Sequence, residues 1–339
     1  MKNFKRLLVL ALAIVMVFAV AGCNNSKTPV NDDKPTQAGN DNPSTDKIKI
    51  GLVQLVQHEA LDAATQGFQD ALVELIGADR LDFNLQNAAG DPTTCSTIVN
   101  QFVSSDVDLI FANATAALQA AVAGTADIPI VATAITSYEV ALEEDDWANR
   151  TTGRNVTGTA DLAPLNEQAA MFVELLPEAK NIGLIYCSSE ANSKYQVDVV
   201  AEELAALGLN PTLYAFADSN DIAAVVTTAV AASDALYIPT DNTAASNTEI
   251  IANIAGPANV PIIASEEGIC NGCGIATLSI SYYDVGYAAG KMAYDILVNG
   301  ADPADMEIGY VTDLTKKYVP SRMAQFGITP PEGYEALPE

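Results

Sequence analysis

Basic side chains are scarce: 16 Lys and Arg stand against 43 Asp and Glu in 339 residues, for a formal net charge of −27. Neutralising nucleic-acid phosphates needs clustered cations, and none cluster here, so the composition argues against a nucleic-acid partner. There is one His, His58, and one Trp, Trp147. A single Cys-x-x-Cys with no second Cys/His pair cannot build the usual four-ligand zinc site, and no metal is expected. The sequence also lacks GxxxxGK[ST], GxSxG, HExxH and GxGxxG patterns, so nothing points to nucleotide, hydrolase or dinucleotide chemistry, and no cofactor is expected. Charged residues make up only 17% of the chain, below the ~25% usual for globular domains, so the acidity reflects missing Lys and Arg as much as abundant carboxylates.

Only one apolar run is long. Lys2, Lys5 and Arg6 precede Leu7–Val20, and the run ends in Ala21-Gly22-Cys23. A charged start, a short apolar middle and small residues before a cut form the pattern of a secretory signal, and the run falls short of the ~20 residues a membrane span needs. Its Val-Ala-Gly-Cys ending resembles a bacterial lipobox, which implies a signal peptide over 1–22 and lipidation of Cys23. Residues 23–47 are rich in Asn, Asp, Ser, Thr and Pro with almost nothing apolar, as a flexible tether would be. Two or three acyl chains on Cys23 would suffice for stable anchoring.

From Ile48 the pattern changes. Ile48–Val53, Phe83–Asn87, Leu109–Ala112 and Ile130–Ala134 are short, apolar or β-branched and bounded by polar or small residues, which predicts strands. Leu61, Ala64, Phe68, Ala71, Leu72 and Leu75 fall on one helical face between the first two. A second series follows Asn155-Val-Thr-Gly158, with strands Ile182–Tyr186, Thr212–Phe216, Ala235–Pro239 and Ile262–Ser265. Helices are predicted near 166–176, 193–207, 221–232 and 243–255, then over 283–299 and 321–326. Alternation of this kind predicts an α/β protein of two doubly wound parallel-sheet lobes. The expected division is 48–157 plus about 283–312 for one lobe and 158–282 plus about 313–339 for the other.

Gly51-Leu-Val-Gln-Leu-Val-Gln-His-Glu-Ala-Leu-Asp62, Gln86-Asn-Ala-Ala-Gly-Asp91, Asn155-Val-Thr-Gly158, Tyr186-Cys-Ser-Ser-Glu-Ala-Asn-Ser193 and Pro239-Thr-Asp-Asn242 occur in that order. Together they resemble the ABC-transporter substrate-binding proteins that include the tryptophan- and tyrosine-binding lipoproteins, over about Ile48–Ile328. The resemblance implies a type I periplasmic-binding fold with three crossovers, near 157–161, 281–284 and 312–318, and a ligand cleft between the lobes. It further implies separate permease and ATPase subunits, an extracytoplasmic location on the cell membrane, a monomer, and an aromatic or other apolar amino acid as the ligand class.

In open α/β sheets ligands sit beyond the carboxyl ends of the strands, near helix N-termini. That rule selects Gln54–Leu61, Asn113–Ala116, Thr133–Tyr138, Tyr186–Ser193, Pro239–Asn242 and Ser265–Gly268. Thr115 with the N–H groups at Ala116, and Thr136, are candidates to hold a ligand carboxylate. For an ammonium, Asp241 ranks first, with Glu190 and Glu266 behind it. Leu61, Tyr138, Tyr186 and His58 are candidates for a side-chain wall, and Gln54, Asn113, Ser188, Asn192 and Asn242 complete the polar set. Each has a plainer alternative: Thr115 as a helix cap, Asp241 bracing its own turn, His58 as a solvated loop residue, Tyr186 as core. No Arg stands in these loops and Lys194 is the only nearby Lys, so a zwitterion or neutral ligand fits better than a strong anion.

Beyond Cys23 there remain Cys95, Cys187, Cys270 and Cys273. Cys270-Asn-Gly-Cys273 reads as a turn-like segment whose thiols either close a small-loop disulfide or stay structural. Two further functions compete with transport: a ligand-sensing receptor, and a two-lobe enzyme pairing Cys187 with Cys95 across a cleft, as in racemases.

Overall fold

The computed structural model describes residues 47–144, 150–310 and 312–338. Cys23 and Trp147, and with them the expected signal, lipid site and tether up to residue 46, lie outside the described residues.

Two sheets organise the chain. The first contains β1 (Ile48–Gln54), β2 (Leu81–Asn87), β3 (Leu109–Asn113), β4 (Ile130–Ile135) and β5 (Val156–Ala160). The second contains β6 (Asn181–Cys187), β7 (Asn210–Phe216), β8 (Ala235–Ile238), β9 (Ile262–Ala264) and β10 (Ala276–Ser279). Late in the chain β11 (Gly309–Tyr310) pairs with β5 in the first sheet, while β12 (Thr315–Tyr318) and β13 (Tyr334–Ala336) extend the second. The orders are β11-β5-β4-β3-β1-β2 and β13-β12-β10-β9-β8-β6-β7, with β12 antiparallel to β10. Each sheet places its first strand inside its second and its third on the other flank, so each has a switch point where the winding reverses.

Helices cover both faces. They are α1 (Glu59–Ile76), α2 (Pro92–Ser104), α3 (Thr115–Gly124), α4 (Tyr138–Leu142), α5 (Leu165–Leu175), α6 (Ala191–Ala206), α7 (Ile222–Val230), α8 (Asn242–Ala245), α9 (Thr248–Ala255), α10 (Glu267–Cys273), α11 (Tyr282–Asn299) and α12 (Pro320–Gln325). Central strands read as continuous apolar runs because both faces are covered: every residue of β3 and β4 is buried, whereas the edge strand β2 is largely exposed.

The chain passes between the sheets three times, after β5, after β10 and after β11. The first passage differs from the expected boundary. Gly158 to Ala160 stay in the first sheet as part of β5, and the chain leaves at Asp161. Gly158, with φ at 149°, permits this: a Cβ there would sit 2.0 Å from the Ala132 carbonyl oxygen. Other differences are local. Residues 243–255 form two helices, and 267–273 is helical where a turn is expected.

Helix α11 returns the chain to the first lobe, packing along α1 at glycine contacts. A Cβ on Gly286 would lie 1.9 Å from Ala64 O, and one on Gly67 would lie 2.1 Å from Tyr283 O. This close crossing seats α1, whose N-terminus carries His58 into the cleft. No helix among the described residues is long and apolar enough to cross a membrane.

Candidate functional site

Where the carboxyl ends of the two sheets face each other, two neighbouring cavities open. The inner, of about 20 Å³, is lined by His58, Leu61, Ala134, Thr136, Asp161 and Tyr282 from the first sheet's side and the crossovers, and by Asn192, Thr240, Asp241, Asn242, Glu266 and Ile269 from the second. The outer, of about 330 Å³, is walled by Leu55, Val56, Thr115, Ala116 and Gln119 on one side and Ser189, Glu190, Ala191, Asn192, Asn242 and Thr243 on the other. They share Asn192 and Asn242. The lobes touch across this gap: His58 Nε2 lies 3.1 Å from Asn242 Oδ1, and Gln196 Nε2 donates to Thr136 Oγ1 at 3.1 Å.

Four buried carboxylates stand here, and three are occupied by the fold. Asp241 caps α8, accepting from Ala244 N at 2.8 Å and from Cys187 N at 2.5 Å. Glu190 accepts from the N–H groups of Asn242 (3.0 Å) and Thr243 (2.9 Å), from Thr243 Oγ1 (2.7 Å) and from Asn242 Nδ2 (2.7 Å). Glu266 caps α10 through Gly268 N at 2.6 Å and Ile269 N. Burial pushes Glu266 up to about 7, and burial together with the Glu190 charge pushes Asp241 up. The bracing reading of Asp241 therefore describes its observed contacts, and the same pull of backbone N–H groups explains Glu190 and Glu266.

Asp161 is the fourth, and it is not among the candidates that the strand-end rule selects. Its Oδ2 accepts the Tyr282 hydroxyl at 2.7 Å, while Oδ1 is buried and makes no hydrogen bond, although the Thr136 hydroxyl stands near enough to favour the charged form. Burial raises this carboxyl to about 6. It follows β5 directly on a crossover between the lobes, and the signal for it in the sequence is a lone carboxylate between the apolar β5 and Pro164.

Two helix N-termini face the outer cavity without side-chain caps: α3, preceded by Ala114, and α6, preceded by Glu190 whose carboxylate turns to α8. Their first N–H groups are the donors to which an anionic group would be drawn. At the same ends of β3 and β4, Ala114 has φ 89° and Ala134 φ 55°, conformations that L residues avoid and that collect at functional sites.

Of the expected residues, His58, Leu61, Thr136, Asn192, Asp241, Asn242 and Glu266 line the inner cavity, and Thr115, Ala116 and Glu190 the outer. Five others line neither. Gln54 accepts from Thr65 Oγ1 at 2.7 Å and donates to Asp62 Oδ1 at 2.6 Å; Asn113 donates to Leu61 O at 2.8 Å. Both brace α1 from below. Tyr138 sits in the first lobe's core with its hydroxyl on Ala132 O, Tyr186 is buried in the second lobe's core, and Ser188 donates to Phe216 O at 3.1 Å. A ring at a strand end gains more from burial in its own lobe than from a wet cleft, which corrects their expected place in the wall. Cys95 and Cys187 belong to separate lobes and line neither cavity. Cys270 and Cys273 are free, buried thiols in α10, where Cys273 Sγ reaches Ile269 O at 3.4 Å.

The model of one family, ABC transporter substrate binding protein, matches residues 49–337. The chain belongs to that family. It is 36% identical over 300 residues to a tyrosine-binding protein of Clostridioides difficile (strain R20291), covering 86% of this chain and 84% of the relative. Its structure is similar to that of an ABC domain in complex with L-Trp from Streptococcus pneumonia, with TM-score 0.81, 32% identity and coverage of 86% of this chain and 100% of that one. A ligand-free, open structure of a substrate-binding protein with adhesive properties from Clostridium difficile gives TM-score 0.64 at 34% identity, covering 85% of this chain and 98% of that one. The two lobes are those of a type I periplasmic binding protein. As an ABC transporter substrate-binding protein the chain binds a small-molecule ligand, works with ABC transporter components and is not an enzyme.

Proposed function

We propose that this chain is the lipid-anchored, extracytoplasmic receptor of an ABC importer for an aromatic amino acid, and that it closes its lobes on that ligand as a monomer. One observation carries the ligand class: the unpartnered Oδ1 of Asp161, buried where the two lobes meet. A buried carboxylate oxygen without a donor is costly, and a ligand ammonium removes that cost. The α-carboxylate then has the uncapped starts of α3 and α6 with the Thr115 hydroxyl beside them. The side chain extends into the outer cavity, whose 330 Å³ suits a ligand of amino-acid size. Among the described residues no Lys or Arg lines either cavity, which supports a zwitterion over a strong anion.

The relatives supply the narrower choice, since one is a tyrosine-binding protein and another was crystallised with L-Trp. The higher TM-score to the L-Trp complex, despite slightly lower identity than the open relative has, fits lobes brought together as the cleft-spanning hydrogen bonds require. Lipidation at Cys23 rests on the Ala-Gly-Cys ending of the apolar run.

Isothermal titration with L-tyrosine, L-tryptophan and L-phenylalanine, against L-aspartate and L-lysine as controls, tests the ligand class. The expected result is one-to-one binding in or below the micromolar range by at least one aromatic amino acid. Binding by none of the three overturns it.

A further inference from the structure

His58 is the chain's only histidine, and hydrogen bonds across the cleft decide which of its nitrogens carries the proton. Asn242 Nδ2 lies 2.7 Å from Glu190 Oε2, and that oxygen also accepts the Asn242 backbone N–H at 3.0 Å. Turning the amide over would set two oxygens against each other, so Asn242 presents its Oδ1 to His58. An amide oxygen only accepts. Burial favours the neutral ring, and in that form the hydrogen on His58 is on Nε2 and Nδ1 is a lone pair. That Nδ1 is buried and has no partner, and the residue lines the inner cavity. Asp161, whose Oδ1 is likewise buried without a hydrogen-bond partner and has the Thr136 hydroxyl nearby, lines the same cavity.

Two vacant acceptors in a space of about 20 Å³ define what fits there: a water-sized group with at least two donors. The charged groups that face His58 are all acidic. Asp62 stands on its own helix and Glu190 across the cleft, with Asp161, Asp241 and Glu266 around the cavity. Neighbours of that sign favour a cationic donor over a neutral one.

We propose that His58 is a specificity-determining residue that reads the ligand's α-ammonium as a neutral Nδ1 acceptor beside Asp161, in the tautomer that Glu190 imposes through Asn242. This rests on the amino-acid reading above and deepens it. His58 stands at the start of α1 in the first lobe, while Asn242 and Glu190 belong to the second. The relay is complete only when the lobes meet, so closure itself prepares the acceptor.

The test is a cycle on the untagged full chain. L-tyrosine and L-tryptophan are each titrated against the matching propanoic acid that lacks the amino group, in wild type and in His58→Gln. Glutamine keeps an amide N–H near the Nε2 position for Asn242 and removes the Nδ1 acceptor. The expected loss is about tenfold or more for the amino acid and under about twofold for the desamino acid, since a hydrogen bond to a charged group contributes about 1.5–3 kcal/mol. Equal losses for both ligands, or none, overturn the assignment. Failure of both amino acids to bind wild type is a separate outcome that removes the amino-acid reading as well. A second readout needs no variant: with one histidine, the side-chain nitrogen-15 spectrum should show an Nε2–H tautomer whose Nδ1 resonance moves when the amino acid is added. An Nδ1–H tautomer in the ligand-bound protein also overturns the assignment.

Discussion

Tyr282 donates its hydroxyl to Asp161 Oδ2 at 2.7 Å, and the two residues stand on different passages between the lobes, Asp161 just after β5 and Tyr282 at the start of α11. The bond joins two of the three connections that a hinge motion must bend, and it leaves the other carboxylate oxygen buried without a hydrogen-bond partner. If Asp161 receives the ligand ammonium as proposed, ligand capture and lobe geometry meet on one side chain.

Asp161→Asn separates binding from stability. The substitution keeps shape but removes the charge an ammonium would face, so binding should weaken by at least about 2 kcal/mol, roughly thirtyfold in Kd by titration calorimetry. The ligand-free fold should gain. A carboxyl raised to about 6 from 3.8 is costly when ionised, so its contribution to stability declines as pH rises through that interval and stays low above it. Removing the charge should stabilise the ligand-free protein at pH 7 by up to about 3 kcal/mol, less the weakened Tyr282 bond. A denaturant midpoint that falls together with affinity would argue against this trade.

Affinity should decline with acid. Burial holds His58 below its ordinary 6.5, so the closed form favours the neutral ring and protonation opposes closure. Asp161, at about 6 before ligand enters, must be ionised to face an ammonium. Both effects have the same sign: affinity is flat above about pH 6.5 and declines below it. Glu266 and Asp241 are also raised, but their bonded partners all lie within the second lobe, so closure changes their surroundings less. Titrations from pH 5 to pH 8 check the sign, and His58→Gln should shallow the slope. Affinity that rises on acidification would exclude both groups.

The sequence pattern carried the architecture further than the site. Strands such as Leu109–Asn113 and the helical face from Leu61 to Leu72 announce themselves by period, because burial on one or both faces leaves a regular apolar trace. Cys270-Asn-Gly-Cys273 did not, since two glycines conceal a helix that depends on Glu266 at one end and Arg322 at the other. In the cleft, the strand-end rule located His58, Thr136, Asn192 and Asn242. It did not reach Asp161 and Tyr282, because the short strands they follow, Val156–Ala160 and Ala276–Ser279, are not among those the apolar pattern predicts. Nor does sequence say that Glu190 and Asp241 spend their oxygens on helix N-termini; that follows from which backbone N–H groups arrive within 3 Å after folding.

Gly286→Ala should lower stability by about 1–3 kcal/mol, because the added methyl meets Ala64 O at 1.9 Å and two helices must part to admit it. The displacement would reach α1 and the His58 it carries, so affinity for the amino acid should decline as well. Chemical denaturation measures the first effect and calorimetry the second. Unchanged stability would mean that α1 and α11 yield more easily than their backbone contact implies.

Arg322 closes α10 from below. Its guanidinium donates to the carbonyl oxygens of Cys270 (2.9 Å), Asn271 (2.7 Å), Gly272 (2.8 Å) and Gly274 (3.1 Å), which gather at the helix's C-terminal end. A cation there opposes the partial negative charge of the unsatisfied carbonyls, and a planar fork serves several at once where an ammonium cannot. Arg322→Ala should therefore cost about 2 kcal/mol of stability, with Arg322→Lys recovering less than half. Hydrogen exchange should quicken at the amides of Cys270 to Gly274 before it does elsewhere in the second lobe. Since Glu266 is held by the first N–H groups of the same helix, loosening its far end should also weaken ligand binding a few-fold. If Lys restores full stability, the site is one of charge alone and the four-carbonyl geometry is incidental.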